Sequence, residues 1–279
     1  MALTASIIQK KLAAASWTLR DNVAQDIING ATTAELKNLD AEGVLRLYEA
    51  LGLSGGWYSS RDSSAMKRLA TESQFQPVKN TPDFGVGLVK RAAPGANIQT
   101  QLSAGLVARI YAAEKKRLSV LEKVGFDGST VGRGQLGQPA YNDVKSPRHF
   151  KAPLEECMTR VILAKALSKH ARPGAVLGFD MTTYKLRVTE HYSNVWRDPV
   201  LEDFVVAAYL AIRIRAATKS GRSAKDTARF AVALYHGMRK MVVAAQNTTG
   251  DTVNWKPVEA ELKSQGHTDA VAYVNEVVR

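Results

Sequence analysis

Apolar residues recur every three or four positions along most of this chain, the spacing that puts one face of a helix against a core. In "TTAELKNLDAEGVLRLYEALG" the positions Leu36, Leu39, Val44, Leu45, Leu47 and Leu51 keep that spacing. Thr33 and Asp40 stand where a side-chain oxygen would accept the first free backbone N–H groups of two short helices. The chain up to about Glu72 reads as short helices joined by polar turns. From Ser73 to Gln99 three prolines and three glycines interrupt any helical period, so this stretch predicts a linker. A helix is expected from Leu102 to about Lys123, a glycine-rich loop from Gly125 to Gln138, then a linker and a helix from about Pro153 to His170. Tyr184, Leu186 and Val188 alternate enough for a short extended piece. Two long helices follow, Pro199 to about Ser220 and Ala224 to about Asn247, with "SGRSAKD" as the turn and N-cap between them. A terminal helix is expected from Val258 to Glu276. The class is mostly α, with a small helical domain and linker over residues 1–97 and a larger helical domain over 98–279.

One position breaks the pattern. Projected at about 100° per residue, Leu102, Leu106, Val107, Ile110, Tyr111, Ala113, Leu118 and Leu121 fill a single arc. Glu114 lies inside that arc, while Lys115 and Lys116 fall opposite. A carboxylate there has two readings. It either forms a structural ion pair, with Arg117 or a neighbouring helix, or it is held protonated by apolar surroundings and can donate a proton.

Charge and composition narrow the setting. The chain has 279 residues, 45% hydrophobic, a formal net charge of +12 and a pI near 9.7. Such positive charge favours a polyanionic partner: nucleic acid, anionic lipid or an acidic wall polymer. No zinc-finger or arginine-rich signature accompanies it. The longest apolar run, "FVVAAYLAI" from Phe204, is short of the roughly 20 residues that span a bilayer, so no transmembrane segment is expected. Two lysines interrupt the apolar N-terminal stretch, so Sec-type export is not expected. Cys157 is the single cysteine, which rules out an intrachain disulfide. The five histidines are spread singly, without metal-ligand spacing.

Three segments stand in order, the first of them holding Glu114. "LVARIYAAEK" is followed by "TVGRGQLGQPAYNDV" and, much later, by "YLAIRIRAATKSGRSAKDTARFAVALYHGMRKM". This order resembles the lysozyme superfamily, closest to soluble lytic transglycosylases, goose-type lysozymes and the muramidase effectors of type VI secretion. The wording "GRGQL" also resembles family 19 chitinases. In that superfamily a Glu ends a core helix, a Gly-x-Gly/Met-Gln segment follows at the cleft floor, and a small-x-Tyr-x-Gly helix packs behind. Glu114 matches the acid; Gly132, Gly134 and Gln135 match the cleft segment; Ala233-Leu234-Tyr235-His236-Gly237 matches the helix motif. The likeness covers about Gln99 to Asn247. Three positions depart from it: Lys115 where the transglycosylases have Ser, Gly134 in place of Met, and Arg133, which adds a charge to the loop.

The resemblance implies a lysozyme-like catalytic domain that cleaves the bond between N-acetylmuramic acid and N-acetylglucosamine in peptidoglycan, with Glu114 as general acid. It implies that Gly134 lets the backbone approach a sugar, and that Gln135 bonds an N-acetyl group or backbone. Tyr235 would place its hydroxyl beside the carboxylate or the scissile oxygen, and Arg133 and Tyr141 would line the cleft. Each has a plainer reading: turn, cap, core packing or solvated charge. A second carboxylate is needed by a hydrolase and not by a lytic transglycosylase, whose muramic acid 6-hydroxyl closes on the anomeric carbon. Asp127 is the favourite for it among Glu122, Asp127, Asp143, Asp180 and Glu190. No cofactor is expected; acidic loop residues would suit Ca²⁺, but no EF-hand spacing is present. Wall-cutting chemistry without a signal peptide implies a cytoplasmic product acting in the periplasm. An antibacterial type VI effector with a cognate immunity protein blocking its cleft fits, as does a phage lysis enzyme. Nucleic acid is not the expected partner. The rival reading is a non-catalytic helical protein that binds a polyanion through its basic surface.

Overall fold

The computed structural model describes residues 3–16, 19–52, 60–75, 80–93, 95–117, 132–146, 148–149, 179–180, 185–186 and 199–279. It is mostly α, as the periodicity predicts, with one two-residue antiparallel pairing, Phe179–Asp180 (β1) with Lys185–Leu186 (β2). The chain divides into two compact units, one of Met1–Lys79 with Met158–Glu190, the other of Asn80–Cys157 with His191–Arg279.

The first unit holds α1 (Ala5–Ala14), α2 (Arg20–Gly30), α3 (Thr33–Asn38), α4 (Ala41–Gly52) and α5 (Ser60–Glu72). Thr32, not Thr33, caps α3, in a reciprocal box with Glu35. Asp40 caps the start of α4 as expected, its Oδ1 accepting the Gly43 N–H at 2.8 Å. Leu36, Leu39, Val44, Leu45, Leu47 and Leu51 are all buried and share one core with Ile8, Ile28 and Leu69. Arg68 on α5 closes the other end of α2, donating to the carbonyls of Ile28, Asn29 and Ala31 at 2.6, 3.0 and 2.6 Å. A helix end leaves carbonyls without partners, and a guanidinium fork satisfies several at once.

The second unit is organised around α10 (Pro199–Ala217). This helix is apolar almost all round, which a helix can be only when neighbours cover every face. α6 (Thr81–Ala92), α7 (Ala96–Gln101), α8 (Ala104–Arg117), α9 (Gln138–Lys145) and α11 (Ala224–Tyr235) pack on it. α12 (Arg239–Thr249), α13 (Trp255–Ser264) and α14 (Thr268–Val277) are its remaining described helices, and α14 packs on both α8 and α11.

Four expectations change here. The stretch 73–99 is not a linker throughout: α6 and α7 lie in it, so the second unit starts at Asn80, not residue 98. Asn80 caps α6, Pro82 falls in its first turn where no donor is lost, and Gly85 marks close approach. A Cβ on Gly85 would meet the Phe204 backbone N at 2.8 Å, so the two helices touch backbone to backbone. The expected linker after Gln138 begins instead with α9. The helix expected over 224–247 is broken at Gly237, whose φ is 83°, and that expected over 258–276 breaks at Gly266 with the same φ. Both glycines end a helix in the left-handed region, where a Cβ is penalised. Residues 118–123 and the expected helix over 153–170 lie outside the described residues.

Candidate active site

Glu114 is on the last turns of α8, and its residue is 7% exposed. The Tyr273 hydroxyl, on α14, donates to Glu114 Oε1 at 2.6 Å. Burial pushes the Glu114 carboxyl above its ordinary pKa, against the opposing pull of the Tyr273 hydrogen bond and the Arg117 charge. Arg117 does not pair with Glu114. Its Nη1 donates to the Ala113 carbonyl at 3.0 Å and pairs with Glu276 at 3.3 Å, and its guanidinium sits 4.8 Å over the Tyr273 ring. The cation is therefore held beside the acid without neutralising it.

Glu114 forms part of the wall of a cavity of about 450 Å³, an ordinary size for a small-ligand site. α8 supplies Glu114 and Arg117, the turn before α9 supplies Gln135, α10 supplies Tyr209, and the end of α11 supplies Tyr235 and His236. Tyr209 and Tyr235 meet edge to face, with ring centroids 5.4 Å apart. The His236 ring packs 4.2 Å from that of Tyr273. Partial burial, with Arg117 nearby, holds the His236 pKa below its ordinary value.

The glycine-rich turn is built for contact with α10. Gln135 has φ 48°, a left-handed conformation that is strained for a residue with a side chain. Its Nε2 donates to the Gly132 carbonyl at 2.6 Å and closes the turn. A Cβ on Gly134 would stand 2.5 Å from Val206 Cγ2 and 2.9 Å from the Tyr235 hydroxyl. The Gly134 carbonyl accepts that hydroxyl at 2.8 Å. The glycine brings the turn against α10 and α11.

The expected site residues thus separate. Glu114, Gln135 and Tyr235 line one cavity. The Tyr235 hydroxyl donates to the Gly134 carbonyl, close enough to Glu114 to feel its charge, and it is Tyr273 that hydrogen-bonds the carboxyl. Arg133 turns to α10, where it pairs with Glu202 at 2.6 Å and Asp203 at 2.8 Å and covers the Tyr111 ring. Tyr141 is fully buried on α9, and burial pushes its hydroxyl up to about 12. Gly134 is a packing contact rather than a wall of the cavity. Asp127, Glu122 and Glu190 lie outside the described residues. Asp143 pairs with Arg213 at 3.2 Å, and Asp180 lies on β1 of the first unit. Among the described residues, no group of three or more acidic, His or Cys side chains is placed to hold a metal ion.

Tyr273, His236 and Tyr209 were not singled out from sequence. For Tyr273 the signal is weak: it is one aromatic on the core face of a terminal helix, 159 residues from its partner. His236 sits inside the quoted motif but looks there like any helix-end residue. No family model matches this chain, and no curated protein or solved structure matches it significantly.

Proposed function

We propose that this chain cleaves the glycan strands of peptidoglycan between N-acetylmuramic acid and N-acetylglucosamine, with Glu114 as general acid. The observation that carries the reading is a buried carboxyl, its pKa raised by desolvation, on the wall of a cavity with an aromatic side. A glycosidic oxygen leaves poorly as an alkoxide, so an acid still protonated near neutral pH lowers the barrier to cleavage. Tyr273 occupies Oε1, which leaves Oε2 to deliver the proton. Tyr209 and Tyr235 offer apolar edges to sugar rings, and Arg117 offers a cation to lactyl or peptide carboxylates.

Two outcomes at the anomeric carbon belong to this reading. Water, directed by a second carboxylate such as Asp127, gives a reducing end. Attack by the muramic acid 6-hydroxyl gives a 1,6-anhydro ring and adds no water. The formal charge of +12 suits an anionic wall. The biological setting we favour is an antibacterial type VI effector acting in a target cell's periplasm, restrained in its producer by an immunity protein at the Glu114 cavity.

The test is digestion of purified sacculi by wild type and Glu114→Gln, with soluble muropeptides resolved by mass spectrometry. Reducing-end products from wild type alone assign a muramidase. Products lighter by one water assign a lytic transglycosylase. Lysis retained in Glu114→Gln, or absent from both proteins while sacculi still bind, overturns the reading, and the second result returns the basic polyanion-binding protein.

A further inference from the structure

A second cavity of the same unit, about 380 Å³, has a different character. It lies between the end of α10, α11 and α12, and no carboxylate is among its lining residues. Arg213, Lys219, Arg222 and Arg239 supply four cationic side chains. Phe230, Leu234, Val242 and Val243 supply an apolar wall, and Val243 is 46% exposed, a large hydrophobic left open to solvent.

The four cations are not equivalent. Arg213 is engaged with Asp143 at 3.2 Å and lies 4.3 Å over the Tyr209 ring. Arg222 is fastened by the carbonyls of Ala217, Thr252 and Val253 and stacks 3.8 Å over Phe230. Its carbonyl partners hold it in place without forming an ion pair. The two acids whose charge reaches it, Asp226 and Asp251, lie outside the lining. One pairs with Arg229 at 3.5 Å, and the other accepts the N–H groups of Val253 and Asn254. Among the described residues Lys219 bonds only the neutral Thr252 hydroxyl, at 2.5 Å. The exposed Arg239 side chain makes no ion pair or hydrogen bond among the described residues. A fixed guanidinium and two cations without acid partners among the described residues thus face a space walled on one side by hydrocarbon. The space is several times larger than a bare phosphate needs.

We propose that this cavity binds a phosphate ester carrying a compact apolar group, the phosphate held by Lys219, Arg222 and Arg239 and the apolar group lying on Leu234, Val242 and Val243. Planar and point-charge donors suit the multiple oxygens of a phosphate. Burying the apolar group adds affinity that an inorganic anion cannot reach. The site is separate from the Glu114 cavity, and the inference does not depend on the proposed glycosidase activity.

The test is calorimetric titration of the full-length protein with octyl phosphate below its micelle concentration. Inorganic phosphate tests the headgroup alone, and octyl glucoside tests the apolar chain alone. Saturable binding of octyl phosphate is expected, at least about tenfold tighter than inorganic phosphate, with none for octyl glucoside. The Lys219→Ala/Arg239→Ala variant should bind about tenfold or more weakly, and Val243→Asp likewise. All three positions are exposed, so the thermal unfolding of both variants should match wild type. Equal binding of inorganic and octyl phosphate, undiminished binding by the double variant, or no binding at all overturns the proposal. Sedimentation with phosphatidylglycerol vesicles separates the sources. Co-sedimentation of wild type but not the double variant assigns a membrane lipid, whereas octyl phosphate binding without co-sedimentation assigns a soluble ester.

Discussion

Glu114 and the Glu202–Asp203 pair are buried acids of the same unit, at 7%, 3% and 0% exposure, yet their partners differ in kind. Glu114 has a neutral hydroxyl on one oxygen and a cation nearby that is occupied with Glu276. Glu202 and Asp203 share the Arg133 guanidinium. They also accept the Tyr111 hydroxyl at 2.6 Å, the Thr81 hydroxyl at 2.5 Å and the Arg133 backbone N–H. Burial alone does not make a proton donor. What differs is the ion pair: Arg133 joins Glu202 and Asp203 to the glycine-rich turn, whereas Glu114 has no such pair and burial raises its pKa. The same polar network carries the glycine-rich turn to α10, so the structural acids position the wall of the cavity that the other acid serves.

The sharpest test of this contrast is Glu114→Gln. It keeps the shape and a polar partner for Tyr273, and activity on sacculi should fall by roughly 10²–10⁴-fold, as expected when a general acid is removed. Removing the cation from the other site should act on stability instead. Arg133→Ala leaves two buried carboxylates without their charge partner and should cost roughly 2–3 kcal/mol in urea unfolding. That is less than a fully buried pair would lose, because the Arg133 side chain is 44% exposed. A loss near zero would mean that the pair is not what fastens the turn. Gly134→Ala should destabilise by about 1–3 kcal/mol, because the new methyl overlaps Val206 and the Tyr235 hydroxyl.

Stability against pH gives a subtler effect. The folded-state pKa of Glu114 is raised, so its favourable contribution is full below the unfolded carboxyl value and is lost as pH rises through the folded one. Glu114→Gln should therefore be more stable than wild type at neutral pH. The gain is about 1.4 kcal/mol for each unit of upward shift and should vanish in acid. Equal stability of the two proteins at both pH values would show that the carboxyl is not perturbed. The smallest change is expected from Tyr273→Phe. Its hydrogen bond lowers the Glu114 pKa, so its loss should move the alkaline limb of the activity profile to higher pH, by about one unit or less.

The positions that could be read in advance depend on local periodicity. The apolar arc of α8 showed that Glu114 faces the core before any neighbour was known, and the leucine spacing of α3 and α4 marked a core that is buried throughout. The structure departs from the sequence pattern where glycine and proline do not act as breaks. In α6, Pro82 sits in a first turn and Gly85 is the contact point with α10, and both depend on an element more than a hundred residues away. Gly237 and Gly266 misled in the opposite direction, lying within apolar periods long enough to look like unbroken helices.

For the site, the sequence by itself determined that Glu114 faces the core and that the class is mostly helical, because each follows from spacing along one element. Only the tertiary structure decided what surrounds the acid. Tyr273 comes to it from the last helix, Arg117 is drawn off to Glu276, and Arg133 leaves the expected cleft for two buried acids on α10. Those outcomes are competitions between partners distant along the chain. They are settled by which groups folding buries together, and no periodicity within a single segment records that.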